Sequence, residues 1–329
     1  MTVRWRGLAA AVVLLAAGLA GQQAAAQLLA VQSSRHFLDG DDPSRTEFGA
    51  LVLLSAIKMS SDNIDFGGIS GLQISADGKR LLAVTDAGKW LQAALRYEEG
   101  GEMTGLDAAT LSPLRDEKGQ PVRGGSNIDA ESLSLQQPGD LQGPAYVSFE
   151  RRHRIWFYPQ GLGSKAEQMR TPPGLDKAEE NKGLEAFERR ADGSFIALAE
   201  HMLNSAGNHT GWLISGEGSQ AISLRREGEF EPTDMEFLPD GDLLVLERRY
   251  TRLGGPGMQI RRVKADSIKP DAILDGEVLI NLTARYGIDN FEGLSARRND
   301  AGEIIIYVIS DNNFSPLQKN LLLMFKLAQ

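Results

Sequence analysis

Residues 291–311 read FEGLSARRNDAGEIIIYVISD. A short segment that opens on a carboxylate, Glu292, runs into a polar turn at Asn299–Gly302. It then continues as a β-branched and aromatic run that stops at another acid, Asp311. Two apolar runs joined by an Asp-Gly type turn read as a β-hairpin, because such residues tolerate the positive φ angles of tight turns. The same design recurs upstream in ISGLQISADG (69–78), AESLSLQQPG (130–139), LEAFERRADG (184–193) and PTDMEFLPDG (232–241). Each copy is followed by a run that ends at an acid: RLLAVTD at Asp86, AYVSFE at Glu150, FIALAE at Glu200 and LLVLE at Glu247. Counted at Ser70, Glu131, Glu185, Thr233 and Glu292, the copies stand 61, 54, 48 and 59 residues apart.

Between the hairpins lie further strand-like pieces: RIWFYP (154–159), TGWLIS (210–215), QAISLRR (220–226), MQIRRV (258–263) and EVLINL (277–282). About four strands per repeat, at this period, is the pattern of a β-propeller blade. A β-sandwich accounts for many short strands but not for one hairpin returning with the same terminal acid. The fifth copy is short of strands, since only LLLMFKL (321–327) follows it, while GALVLLSAIKM (49–59) is unassigned ahead of the first. Pairing the N-terminal strand with the last blade closes the ring and removes both edges. The expectation is an all-β propeller of five blades, or six if the connection 94–124 holds another. Helix is confined to a short turn within 175–187, because no window keeps a 3.6-residue apolar period.

In an antiparallel hairpin the start of the first strand and the end of the second share one edge. Glu131, Glu185 and Glu292 are therefore expected at the mouth of the central channel, with Asp86, Glu150, Glu200, Glu247 and Asp311 beside them. Ser70 and Thr233 interrupt the first set, and Asp234 adjoins Thr233 as a further candidate metal ligand. Converging carboxylates raise one another's pKa unless a cation compensates. Carboxylate, carbonyl and amide oxygens suit calcium, which takes six to eight such ligands; Asp129, Asn181, Asp289, Asn290, Asn312 and Asn313 stand close in sequence. The metal set is Asp86, Glu131, Glu185, Asp234, Glu292 and Asp311, with Ca2+ as the expected ion. Arg152, Lys182, Arg248 and Asn312 are candidates for holding an anionic ester, and His201 for acid–base work beside the glutamates. The bland alternative is a solvated rim of strand ends.

Composition narrows the classes. Arg4 and Arg6 precede the apolar run Leu8–Ala20, and Ala24-Ala25-Ala26 completes a secretory signal pattern ending before Gln27. The expected mature chain is one domain, 27–329, with 27–45 a loosely ordered lead-in, exported to the periplasm or secreted, and monomeric. Removing the two arginines takes the formal charge from −9 to −11, which disfavours nucleic acid and anionic membrane surfaces. The chain has no cysteine and four histidines without HExxH spacing, so thiolate chemistry is excluded and zinc is disfavoured. There is no GxSxG elbow, Walker loop or dinucleotide fingerprint.

FGGISGLQISADGKRLLAVTDAG, DAESL, NKGLEAF with ALAEH, and NFEGLS with VISDNN resemble the phytase-like family of exported bacterial proteins, also described as "esterase-like activity of phytase". The similarity runs over about residues 45–327. The resemblance implies a β-propeller and hydrolysis of an ester or phosphoester. The chain departs from the fuller E-G-L pattern at Ser70 and Thr233, and Ala186 follows Glu185. Two readings follow: a calcium-dependent hydrolase, or a non-catalytic envelope module whose acids bind a metal or ligand.

Overall fold

The computed structural model describes residues 26–180 and 182–328; the export signal expected over 1–26 lies almost wholly outside them, as does Asn181. Five sheets, antiparallel except for the short parallel pairing of Ile273–Leu274 with Gly218–Leu224, are arranged around a central channel, each with its first hairpin strand innermost. These innermost strands are Ile69–Ile74, Ala130–Leu135, Leu184–Arg189, Glu231–Phe237 and Asn290–Arg298. The second strands are Arg80–Thr85, Ala145–Phe149, Phe195–Leu203, Leu243–Thr251 and Ile304–Asp311. The fold is thus a five-bladed β-propeller. The connection 94–124 adds no blade, because Lys89–Tyr97 and Met103–Pro113 are the third and fourth strands of the first one.

The ring closes where the sequence left two loose ends. Leu51–Ser60 lies antiparallel to Asn320–Leu327, so the last blade contains strands from both ends of the chain. The lead-in is more ordered than expected: Gln27–Leu28 pairs with Met103–Pro113 on blade one, and Gln32–Arg35 pairs with Leu51–Ser60 on blade five. A continuous strap therefore crosses the seam between the first and last blades.

The apolar runs are explained by where they pack. A strand covered on both faces reads as a nearly continuous hydrophobic run. The described core divides into five clusters, one at each seam between neighbouring blades. Leu82, Val84 and Trp90 of blade one meet Leu133, Val147 and Trp156 of blade two. Tyr146 and Ile155 meet Phe187, Phe195 and Trp212 at the next seam. Leu244, Leu246 and Ile260 of blade four meet Ile306, Val308 and Leu323 of blade five. Stability without disulfides follows from these seams. The only helical pieces described are short 3-10 turns, one at Leu175–Lys177, and no helix among the described residues is long and apolar enough to cross a membrane.

Candidate active site at the channel mouth

Every innermost strand breaks register with its neighbour about two residues after it starts. A bulge re-aims side chains locally and is common beside functional sites. In blades three, four and five the residue without a partner is Glu185, Thr233 and Glu292. In blade two Glu131 and Ser132 together oppose Ser148, and in blade one Gly71 is the extra residue after Ser70. The recurring position of the sequence is therefore a recurring bulge.

Register also sets the second tier. Asp86, Glu150 and Glu200 each donate a backbone N–H to the residue just ahead of the innermost strand, Gly68, Asp129 and Gly183 respectively. Asp311 stands opposite Asn290 at the matching place in blade five. In blade four that place, opposite Glu231, belongs to Arg248, not to Glu247. One residue along a strand reverses the face. Glu247, expected at the rim, is instead fully buried within its blade against Arg261, with Arg261 Nε 2.5 Å from Oε2 and Nη2 2.7 Å from Oε1.

The mouth thus collects seven carboxyls, Asp86, Glu131, Glu150, Glu185, Glu200, Glu292 and Asp311, with Asp129 beside them. Two groups have ligand oxygens within 4.8 Å of one another: Asp129, Glu131 and Glu150, and then Glu150, Glu185 and Glu200. Glu150 belongs to both. Arg248 stands among them, Nη2 donating to Glu200 Oε1 at 3.0 Å and Nε lying 3.0 Å from Glu292 Oε1. Asn290 Nδ2 donates to the same Glu292 oxygen at 2.5 Å. Arg151 pairs with Asp129 at the edge.

One guanidinium does not balance this charge. Burial raises Glu292 to about 8, against Arg248 and with Asp311 and Glu200 adding to the rise. Burial, then Asp311 and Asp129, raise Asp86 to about 7. Burial raises Glu150 to about 7 too, with Glu200 and Asp129 adding and the Gly183 amide opposing. Glu131 and Glu185 are pushed well up by enclosure and by their carboxylate neighbours. Asp86 Oδ1 is buried with no hydrogen-bond partner among the described residues. A set of hard oxygen donors holding excess negative charge and an unpaired buried oxygen fits a calcium-like ion better than zinc.

The remaining candidates separate. Asp234 lies below the ring, its Oδ1 accepting from Met235 N at 2.9 Å and its Oδ2 from Leu294 N at 2.7 Å. Its oxygens are thus engaged by backbone at the channel's waist. The equivalent positions there are small, and a Cβ on Gly71 would come within 2.6 Å of Leu133 N. His201 follows Glu200 on the same strand, and its Nδ1 pairs with Glu231 Oε1. Lys182 lies close enough to Glu200 to oppose its raised pKa. Arg152 is exposed and donates to Asn127 Oδ1 at 2.8 Å. Asn312 uses Oδ1 to accept from Phe314 N at 3.1 Å.

Sequence reasoning missed Glu231. Its signal was its place two residues before Thr233, on the same strand face and opposite Arg248. Gly68 was missed as well: at φ +60° it packs on the Asp86 carboxylate, and a Cβ would overlap it. Gly68→Ala is expected to cost about 1–3 kcal/mol through the left-handed backbone and the displaced carboxylate, read as a lower midpoint in urea. A wild-type midpoint would show that Asp86 yields freely.

A large cavity lies elsewhere. About 1020 Å3 opens on the hairpin-turn face, beneath the waist, and none of the mouth carboxyls lines it. The mouth is the better candidate for chemistry because the interacting acids converge there.

Fold and site together define a five-bladed propeller with a carboxylate-lined mouth. The family model described as "Phytase-like: Esterase-like activity of phytase" matches residues 64–314. The chain belongs to that family; the matched stretch holds all five hairpins but neither strand of the ring closure. No curated protein matches it. Among solved structures it is similar to a protein of unknown function from Dyadobacter fermentans, 11% identical, covering 90% of this chain and 91% of that one with TM-score 0.46. An endo-arabinase from Bacteroides thetaiotaomicron is 9% identical, covering 79% and 94%, with TM-score 0.46. A candidate gluconolactonase is 9% identical, covering 92% and 96%, with TM-score 0.45.

Proposed function

We propose that this protein is an exported, calcium-dependent hydrolase of a phosphoester or related ester, acting as a monomer on a small anionic substrate at the channel mouth. The observation that carries the reading is the pair of three-carboxylate groups sharing Glu150. Membership of the phytase-like family supports the reaction class.

Asp129, Glu131, Glu150, Glu185 and Glu200 would hold the ion, with Asp86, Asp311 and Glu292 completing the negative shell. When bound, the ion supplies Lewis-acid polarisation of the ester and a more acidic water. Arg248, held between Glu200 and Glu292, presents a fixed guanidinium for an anionic oxygen. Lys182 and Arg152 extend that positive edge, and Asn312 adds a polar side chain by Asp311. Glu231 holds His201 at Nδ1 and so fixes the ring's orientation; Nε2 is the nitrogen left to take or give a proton. Asp234 shapes the floor without reaching the ion.

The test is calcium titration together with turnover of generic phosphate and carboxylate esters by the mature chain. Calcium-dependent turnover supports the hydrolase. Thermal stabilisation by calcium with no turnover of any ester would favour a binding module instead.

A pH prediction follows from the raised carboxyls. Their folded pKa values exceed the unfolded ones, so the folded chain binds more protons, and the stability they contribute is present at low pH. It is lost as pH rises through the folded values, about 7 for Asp86 and Glu150 and about 8 for Glu292. In chelator, the melting temperature is expected to fall between about pH 5 and pH 8, and calcium is expected to flatten that fall by replacing the protons. Identical pH profiles with and without calcium would contradict occupation of the mouth.

A further inference from the structure

We infer that the cavity on the hairpin-turn face is a second binding site, for a small zwitterion carrying an ammonium group and a carboxylate. Three residues beyond the bulges in blades three to five, and at the matching register in blades one and two, the innermost strands contribute Gln73, Ser134, Glu188, Glu236 and Ser295. All five are buried, and Gln73, Glu188 and Glu236 line the roughly 1020 Å3 cavity. Gln73 Nε2 donates to Glu236 Oε2 at 3.0 Å. Glu188 is only 4% exposed, and its Oε2 has no hydrogen-bond partner among the described residues. The adjacent Arg189, which also lines the cavity, has a buried Nε without a partner.

A buried acceptor and a buried donor left unmatched in one cavity each cost free energy, and a ligand offering the opposite group to each removes both costs. No lysine or arginine ion-pairs with Glu188 or Glu236 among the described residues, so the acceptor end calls for a cation. Burial and the nearby Glu236 and Asp234 raise Glu188, which agrees with a missing counter-charge. The outer end is net positive: Arg189, Arg190, Arg297 and Arg298 line it against Asp192 and Asp240. Arg189 Nη1 donates to the Gln136 carbonyl at 3.0 Å, and Arg297 Nη2 to Tyr307 Oη at 3.2 Å, which leaves further N–H groups for an anion. The size is that of an organic-ligand pocket, and Phe237 and Leu238 give it apolar wall. Asp234 at the waist separates this site from the mouth.

The test compares binding of 6-aminohexanoate, hexylamine and hexanoate to the full mature chain by calorimetry. The zwitterion is expected to bind at least about tenfold tighter than either single-charge probe, since each lost charged contact carries a factor of that order. Glu188→Gln is expected to weaken the zwitterion by about tenfold or more, whereas Glu131→Gln at the opposite mouth leaves it unchanged. Hexylamine or hexanoate binding as tightly as the zwitterion, or no detectable binding of any probe, would overturn the assignment independently of any variant's folding. Because the mouth is not involved, failure here leaves the hydrolase reading standing.

Discussion

Glu150→Gln is expected to lower calcium-dependent ester turnover by at least about 100-fold and to remove the thermal stabilisation by calcium. Glu150 is the one carboxylate common to both groups at the mouth. Removing a ligand from either group alone leaves the other intact, but this change degrades both. The variant keeps the side-chain oxygen that accepts from Gly183 N, and it deletes a charge already disfavoured by burial and by Glu200 and Asp129. The ion-free protein should therefore melt no lower than wild type. A loss of turnover at unchanged ion-free stability separates chemistry from folding. Wild-type turnover in this variant would sink the proposed mechanism.

The second large effect concerns stability. Arg261→Met is expected to destabilise the protein by about 3–5 kcal/mol, because it leaves Glu247 as an uncompensated buried charge. Both side chains of that pair are 0% exposed. Gln259 Nε2 also donates to Glu247 Oε2 at 2.9 Å, but a neutral donor cannot replace the guanidinium. The double variant Arg261→Met with Glu247→Leu is expected to regain most of the loss, since matched apolar replacements of buried pairs are often neutral or better. Urea midpoints of the two variants decide it. A single-variant cost below about 1 kcal/mol would mean that the pair behaves like a solvated one.

This pair also shows where the sequence stopped being readable. The hairpin repeat, its terminal acids and the orphan strand 49–59 were sufficient for five blades and their closure, because alternation, turn chemistry and unpaired edges are local properties. LLVLE ended on an acid like the other runs, so Glu247 looked equivalent to Glu200. The equivalence is set by pairing across the hairpin: with the same bulge and the same turn in both blades, LLVLE reaches its acid one residue sooner than FIALAE, which turns Glu247 inward and puts Arg248 in the ring. The bulges carry no signature of their own: Glu185, Thr233 and Glu292 share a position, not a residue type. For the same reason Glu188 and Glu236, a few residues further along their strands, passed as ordinary strand positions. Their sharing of a cavity depends on the cyclic arrangement of blades. The pairing of His201 with Glu231 likewise depends on blades three and four being neighbours.

The mixed last blade has a consequence for how the molecule is made. Leu51–Ser60 emerges from the ribosome before its partner Asn320–Leu327, so a mostly apolar strand must wait while the four intervening blades are synthesised. Such a long-range pairing makes the final step slow and leaves the waiting strand exposed to aggregation. A polypeptide that needs one strand from before its repeats and one from after them keeps its ring open until the later strand is available.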